Sequence, residues 1–102
     1  MNQIVDFSLL SETITKDKMG QTIRTPKERE LIGTQKSVYQ NEYYKAEQAG
    51  LRPQGIIEIS SFDYEGESKL KLGSDTFTIY RTFKVGTDRI ELYYGERVGN
   101  NG

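Results

Sequence analysis

The sequence contains neither histidine nor cysteine. Without histidine it lacks the commonest general base, the usual partner of a serine nucleophile and the commonest metal ligand. Without cysteine it cannot form disulfide bonds or thiolate metal sites. Two carboxylate pairs remain, Glu28 with Glu30 and Glu65 with Glu67, but no apolar run that could form a pocket surrounds either pair. We therefore expect no enzymatic activity, no bound metal and no cofactor.

An excess of basic residues is also missing. Fourteen basic and 15 acidic residues give a formal net charge of −1. A dedicated nucleic-acid-binding protein usually carries a basic excess, because counterion release from phosphates supplies most of its affinity. No stretch approaches the ~20 apolar residues of a membrane span, and the first residues do not resemble a signal peptide. We expect a soluble protein that stays in the cell that makes it and has no membrane partner.

What the sequence does contain is the pattern of a small β protein. Only 34% of its 102 residues are hydrophobic, whereas seven are tyrosine, which favours a thin barrel over a helix bundle. Val5, Phe7 and Leu9 alternate with Asp6 and Ser8, which is the period of a half-buried strand. Similar patterns predict a mainly β fold, a small six-stranded β-barrel or bent sheet, with strands at residues 4–15, 28–36, 55–62, 68–72, 76–84 and 89–94.

We predict a single domain over residues 1–94 with one short helix or loop insertion at about 37–54. Residues 22–25 can extend the hairpin as far as Pro26, which suggests a sheet edge because proline cannot donate to a ladder. Residues 95–102 are rich in glycine and asparagine, and we predict a flexible C-terminal tail there.

The insertion, which we call the central segment (residues 37–54), has the signature of a short helix. Ser37 and Gln40 form a capping box, Gly50 supplies the left-handed residue that ends many helices, and Pro53 blocks continuation. Its apolar face would consist of Val38, Tyr39, Glu42, Tyr43, Ala46 and Ala49. That face buries little area, so we expect a helix that docks weakly or forms only with a partner. Tyr44 falls on the polar face, where it is either a surface residue or a contact to a neighbouring subunit.

A second functional interpretation rests on the stretch YRTFK, residues 80–84. Aromatic and basic residues interleave there, as in barrels that bind single-stranded nucleic acid. Alternation predicts that one face of this strand carries Phe77, Ile79, Arg81 and Phe83. The candidate nucleic-acid face consists of Tyr80, Arg81, Lys84 and Arg89. Any amphipathic barrel strand alternates in this way, and the balanced charge weighs against nucleic-acid binding as the main role.

Four stretches together resemble a known family. They are VDFSLL (5–10), KSVYQNEYYKAEQAGLRPQ (36–54), FDYEGESKLKLGSDTFTIYRTF (62–83) and DRIELYY (88–94). In this order they are similar to the head closure proteins of long-tailed bacteriophages, also called head–tail joining or stopper proteins. The likeness spans nearly the whole chain up to Tyr94, and its most specific part is QNEYYKAEQ, residues 40–48.

The resemblance implies a non-enzymatic virion protein whose barrel is monomeric when free. Such proteins assemble as a ring beneath the portal and its adaptor after DNA packaging, in the host cytoplasm. The ring closes the DNA exit channel, lets DNA pass without sequence-specific binding and offers a docking surface to the tail or a tail-completion protein. By the same resemblance, the residues that gate the channel or contact other subunits are Tyr39, Gln40, Glu42, Tyr43, Tyr44, Lys45, Gln48, Leu51, Arg52 and Pro53.

Overall fold

A computed structural model describes residues 3–38, 44, 46–48 and 50–97. These residues form six antiparallel strands, which close into a barrel in the order β1-β2-β3-β6-β5-β4. The strands are β1 (Gln3–Lys16), β2 (Thr22–Lys36), β3 (Leu51–Ser60), β4 (Lys69–Leu72), β5 (Asp75–Val85) and β6 (Arg89–Arg97). A 3₁₀ turn, Ser61–Asp63, follows β3. The prediction of a small, mainly β barrel is confirmed.

The barrel interior holds one hydrophobic core. Its buried members are Phe7, Leu9, Ile57, Ile59, Leu70, Ile79, Ile90, Leu92 and Tyr94. Gly33 lets β2 approach β3 closely, because a Cβ atom on it would lie 2.6 Å from a methyl carbon of Ile57 and 2.9 Å from one of Ile59. The isoleucines fill the space that a larger residue on β2 would need, so this glycine is part of the packing of a narrow barrel.

Strands β2, β3 and β6 are longer than predicted. β2 runs through Pro26, which pairs with Glu12 of β1. Among the described residues, no strand pairs with the other edge of β2 at this point, so a proline without an N–H group is tolerated there. β3 begins inside the predicted insertion, and Leu51 opposes Arg97 on β6. Residues 95–97 therefore belong to a strand rather than to a flexible tail, and the rest of the predicted tail, residues 98–102, lies outside the described residues. Gly95 allows this pairing, since a Cβ on it would lie 2.5 Å from the carbonyl oxygen of Arg52.

A bulge in β5 changes which side chains face outward. Ile79 opposes Tyr94 but Arg81 opposes Tyr93, so Tyr80 is an extra residue between two ladder positions. Because side chains alternate with period two, one extra residue reverses the faces of everything that follows. Phe83 therefore opposes Glu91 on the outer surface and is half exposed, and the prediction that it shares a face with Ile79 is wrong.

The hairpin of β1 and β2 continues beyond the barrel. Strand β4 pairs with β1 at Ser8–Leu10. Beyond Leu10, as far as the turn, β1 and β2 pair only with each other among the described residues. We call residues 11–27 the arm. Apart from half-buried Ser11 and Asp17, all its residues are exposed. The radius of gyration is 15.2 Å, against about 13 Å for a compact chain of this length, as a projecting element requires.

Candidate subunit-contact surface

The structure describes the central segment in part. Tyr44 and residues 46–48 are helical. Gly50 has φ +75°, and its N–H donates to the carbonyl oxygen of Glu47 at 2.9 Å, which confirms it as the left-handed end of the helix. Tyr44 is 66% exposed and Gln48 is exposed, whereas Ala46 is fully buried. These exposures agree with the predicted helical faces.

The other predicted gating residues fall into two groups. Five of them lie outside the described residues: Tyr39, Gln40, Glu42, Tyr43 and Lys45. Leu51, Arg52 and Pro53 belong to β3, where they oppose residues 95–97 of β6. Leu51 and Pro53 are buried, and Arg52 is exposed with its guanidinium 3.8 Å from Glu96. The structure thus fixes the last part of the predicted gating segment in the sheet.

A second buried layer lies outside the barrel core. Ile56 and Tyr93 are cross-strand partners, and their neighbours Ile57 and Leu92 face the interior. Alternation therefore turns Ile56 and Tyr93 to the outer surface, yet both are buried. Ala46 is likewise buried without belonging to the core cluster. The side of the central segment that carries Ala46 is therefore covered, despite its poor apolar face.

An ion-pair network adjoins this outer layer. Glu58 and Glu91 are direct cross-strand partners, and two like charges in such positions repel. Lys36 compensates for both: its ammonium is hydrogen-bonded to Glu58 and lies 2.9 Å from Glu91 Oε2. Arg89 Nε donates to Glu58 Oε2 at 2.9 Å, and the Tyr93 hydroxyl donates to Glu91 Oε1 at 2.8 Å. Every charge of this network therefore has a partner of opposite sign.

These contacts set the protonation of the network. The hydrogen bond from Lys36, followed by that from Arg89, holds the pKa of Glu58 below its ordinary value. The hydrogen bonds to Glu58 and then Glu91 raise the pKa of Lys36. Lys36 is the last residue of β2, so the network secures the strand end from which the central segment departs.

A second charged cluster closes the end of the barrel from which the arm leaves. Arg29 donates through Nη2 to Glu67 Oε2 at 2.6 Å and to the Asp63 carbonyl at 2.7 Å. Glu67 is buried, and its Oε1 accepts the backbone N–H of Glu65 at 2.9 Å. Burial acts to raise the pKa of Glu67, but the hydrogen bonds from Arg29 and from backbone N–H groups outweigh it, and the pKa is lowered. This candidate catalytic carboxylate is thus engaged by a structural arginine.

The candidate nucleic-acid residues do not form one surface. The Arg81 guanidinium carbon lies 3.9 Å from the centre of the Tyr93 ring, and the Tyr80 ring meets Tyr93 edge-on at 6.4 Å. Arg89 is hydrogen-bonded to Glu58. Lys84 is exposed and opposes Ile90, a core residue, so it leaves the strand on the side opposite to Arg81. Three of the four groups are engaged inside the protein.

Sequence reasoning missed Lys36, Glu58 and Glu91. A signal for the two glutamates was present, since each interrupts an apolar strand, in IIEIS and in IELYY. A carboxylate within such a run has to be buried with a partner or turned to the outside. The sequence alone could not show that the two glutamates face each other.

Comparisons with protein-family models, with curated proteins and with solved structures gave no match. Within the described ranges no helix is long and apolar enough to cross a membrane. The same residues contain no group of three or more carboxylates arranged to hold a metal ion.

Proposed function

We propose that this protein is a structural component of the head–tail connector of a long-tailed bacteriophage. Copies form a ring beneath the portal and its adaptor, close the DNA exit channel after packaging and provide the surface on which the tail or a tail-completion protein docks. The free chain is a monomer, assembly takes place in the host cytoplasm, and the mature protein resides in the virion. It is not an enzyme.

One observation supports the proposal beyond the sequence resemblance: among the described residues, the core cluster of the barrel takes no member from the central segment before β3. Tyr44 of that segment projects into solvent. Lys36 and Leu51 hold the strands on either side of it. A segment joined in this way can serve an assembly while the barrel stays folded. Because Leu51 begins β3, we assign gating to residues 39–50.

The charge balance supports the same role. DNA has to slide through the lumen of a connector ring, so the ring should not bind phosphate strongly. A net charge of −1 meets this requirement. The alternative, a single-strand-binding barrel, is less well supported, because Arg81 and Arg89 already contact Tyr93 and Glu58.

Electron microscopy of a phage lysate tests the proposal. The phage carries a nonsense codon in the gene for this protein, and the control lysate comes from the same phage with the wild-type gene supplied on a plasmid. We expect separate tails beside emptied heads that retain a portal, and normal virions in the control. Intact, DNA-filled virions in the mutant lysate would refute head closure and bring the nucleic-acid-binding barrel to the front.

A further inference from the structure

We propose that the arm of one copy docks into an acidic groove on the outer surface of β1 and β2 of a second copy. The contact joins copies of this chain head to tail. Only the role of this contact, which is to join subunits of the connector ring, rests on the proposed function. The pairing itself is argued from the shape, exposed apolar residues and charge of the two surfaces.

The arm has no evident role in stabilising its own barrel. A two-stranded hairpin is at best marginally stable in water, and the arm extends about 20 Å past the last residue that β4 covers, at ~3.3 Å for each of six residues. It nevertheless exposes large apolar side chains. Ile14 is 60% exposed, Met19 is 84% exposed and Ile23 is 43% exposed. Ile14 opposes Arg24 whereas Ile23 opposes Thr15, so the two isoleucines lie on opposite faces of the arm. A partner that covers Met19 at the tip can therefore cover only one of them.

The groove lies where β1, β2 and β4 meet on the outer surface. It has a volume of about 840 Å³. Its lining includes Phe7, Leu31 and Ile32, but Phe7 and Leu31 belong to or pack against the barrel core, so Ile32 is the apolar side chain that the groove exposes. Ile32 is 68% exposed, so an apolar side chain that entered the groove would cover surface that is now in water.

The charges of the two surfaces are opposite. The groove lining carries three carboxylates, of Asp6, Glu28 and Glu30, against the single ammonium of Lys71, which lies 3.7 Å from Glu28 Oε1. The lining therefore has an excess of two negative charges. The arm carries more cations than anions. The cations are Lys16, Lys18, Arg24 and Lys27, and the anions are Glu12 and Asp17. Within the arm, Arg24 lies 3.4 Å from Glu12, and Asp17 accepts two backbone N–H groups of the turn, so its lysines remain to face the groove.

The occupant is a second copy, because the arm cannot reach the groove of its own chain. β1 and β2 stay in one register from Gln3 opposite Gln35 to Lys16 opposite Thr22, without a bulge. The strands that line the groove therefore continue straight into the arm and carry it away. Docking between different surfaces of two copies is heterologous, and such contacts generate rings when the rotation closes.

Site-specific disulfide crosslinking tests the contact, since the chain has no cysteine of its own. One copy carries Met19→Cys at the tip of the arm, and a differently tagged copy carries Ile32→Cys in the groove. In the control pair the first copy carries Phe62→Cys instead, which is 83% exposed and thus matched to Met19. We expect the 19–32 pair to crosslink about tenfold faster than the 62–32 pair, through charge attraction. Equal rates would overturn the proposal.

Charge reversal sharpens the test. Replacing Glu28 and Glu30 by lysine in the groove copy should remove the advantage of the 19–32 pair, and replacing Lys16 and Lys18 by glutamate in the arm copy should restore it. If neither charge reversal changes the crosslinking rate of the 19–32 pair, that result would also contradict the proposed contact. Crosslinking is measured on the purified chain, where it traps transient encounters between monomers, so it is independent of the lysate experiment. Specific crosslinking with normal virions would refute head closure alone, and empty heads without crosslinking would refute the arm contact alone.

Discussion

The two halves of β1 make the most informative comparison within this molecule. Residues 3–16 form one strand, paired without interruption to β2. In the first half, Phe7 and Leu9 are buried in the core, whereas Thr13 and Thr15, which continue the same face in the second half, are exposed. The difference begins where β4 ceases to cover β1, after Leu10. Strand formation is thus local, but burial depends on whether a third strand is present.

The same contrast applies to the charged residues of β2. Arg29 and Arg24 each pair with a glutamate. Arg29 binds buried Glu67 inside the barrel, and Arg24 contacts exposed Glu12 on the arm. The barrel and the arm therefore offer matched residues of one type in two environments, and each comparison can be tested by substitution.

The largest expected difference in the free energy of unfolding is between the variants Leu9→Ala and Ile14→Ala. Leu9 is fully buried in the core, so its truncation should lower the free energy of unfolding by about 3–5 kcal/mol. Ile14→Ala removes an exposed side chain and should change it by no more than about 0.5 kcal/mol. Urea titrations followed by circular dichroism measure both values. Comparable losses in the two variants would mean that the arm packs against the barrel in solution.

The next largest difference in the free energy of unfolding is expected between the variants Arg29→Met and Arg24→Met. Arg29→Met leaves the buried Glu67 carboxylate without its cation. We expect a loss of about 2–3 kcal/mol, somewhat below that of a fully buried pair because part of the Arg29 side chain is exposed. The Arg24–Glu12 pair is exposed on both sides and should be worth less than about 0.5 kcal/mol. Restoration of stability by Glu67→Gln in the Arg29→Met background would identify the unpaired carboxylate as the cause.

Acid should weaken the barrel through the pKa of Glu58. Lys36 and Arg89 hold this pKa below 4.5, the ordinary value of a glutamate. The stabilisation is therefore complete above about pH 4.5 and is lost as the pH falls through the lower pKa of the folded state. The raised pKa of Lys36 acts in the opposite range, where stabilisation is complete below its ordinary pKa of 10.5 and is lost at higher pH.

Glu58→Gln tests this dependence because it removes one titrating group and keeps the shape of the side chain. Between about pH 5 and pH 3, the urea midpoint of the variant should fall less steeply than that of the wild type. An equally steep fall would assign acid sensitivity to other carboxylates, with Glu67 next in order because its pKa is also lowered. Glu67→Gln is the matching measurement.

The sequence predicted where the strands lie better than how they pair with one another. Alternation of Val5, Phe7 and Leu9 located β1, because period two is a property of a few consecutive residues. The bulge at Tyr80 was missed because one extra residue leaves the alternating pattern of β5 intact and changes only its pairing with β6. Pairing of Leu51 with Arg97 joins positions far apart in the chain, so local composition suggested an insertion and a tail instead.

Of the candidate surface, the sequence predicted the helical faces but not the anchor. The helical period was sufficient to place Ala46 on the covered side and Tyr44 on the exposed side, and Gly50 ends the helix as predicted. The capping box is not tested, because Gln40 lies outside the described residues. The ion pairs of Lys36 with Glu58 and Glu91 depend on three strands meeting. No spacing within the sequence contains that information, because β2, β3 and β6 become neighbours only when the barrel closes.

The smallest expected effect on stability, and the one that bears most on function, is that of Tyr44→Ala. Tyr44 is 66% exposed, so the free energy of unfolding should change by no more than about 0.5 kcal/mol. Ala46→Asp is the matched control on the opposite face, where a buried carboxylate should destabilise the segment or the whole fold. If Tyr44 contacts a neighbouring subunit, phage carrying Tyr44→Ala should produce a stable protein and yet release empty heads. A normal phage titre with that variant would leave Tyr44 as an ordinary surface residue and move the contact elsewhere in residues 39–50.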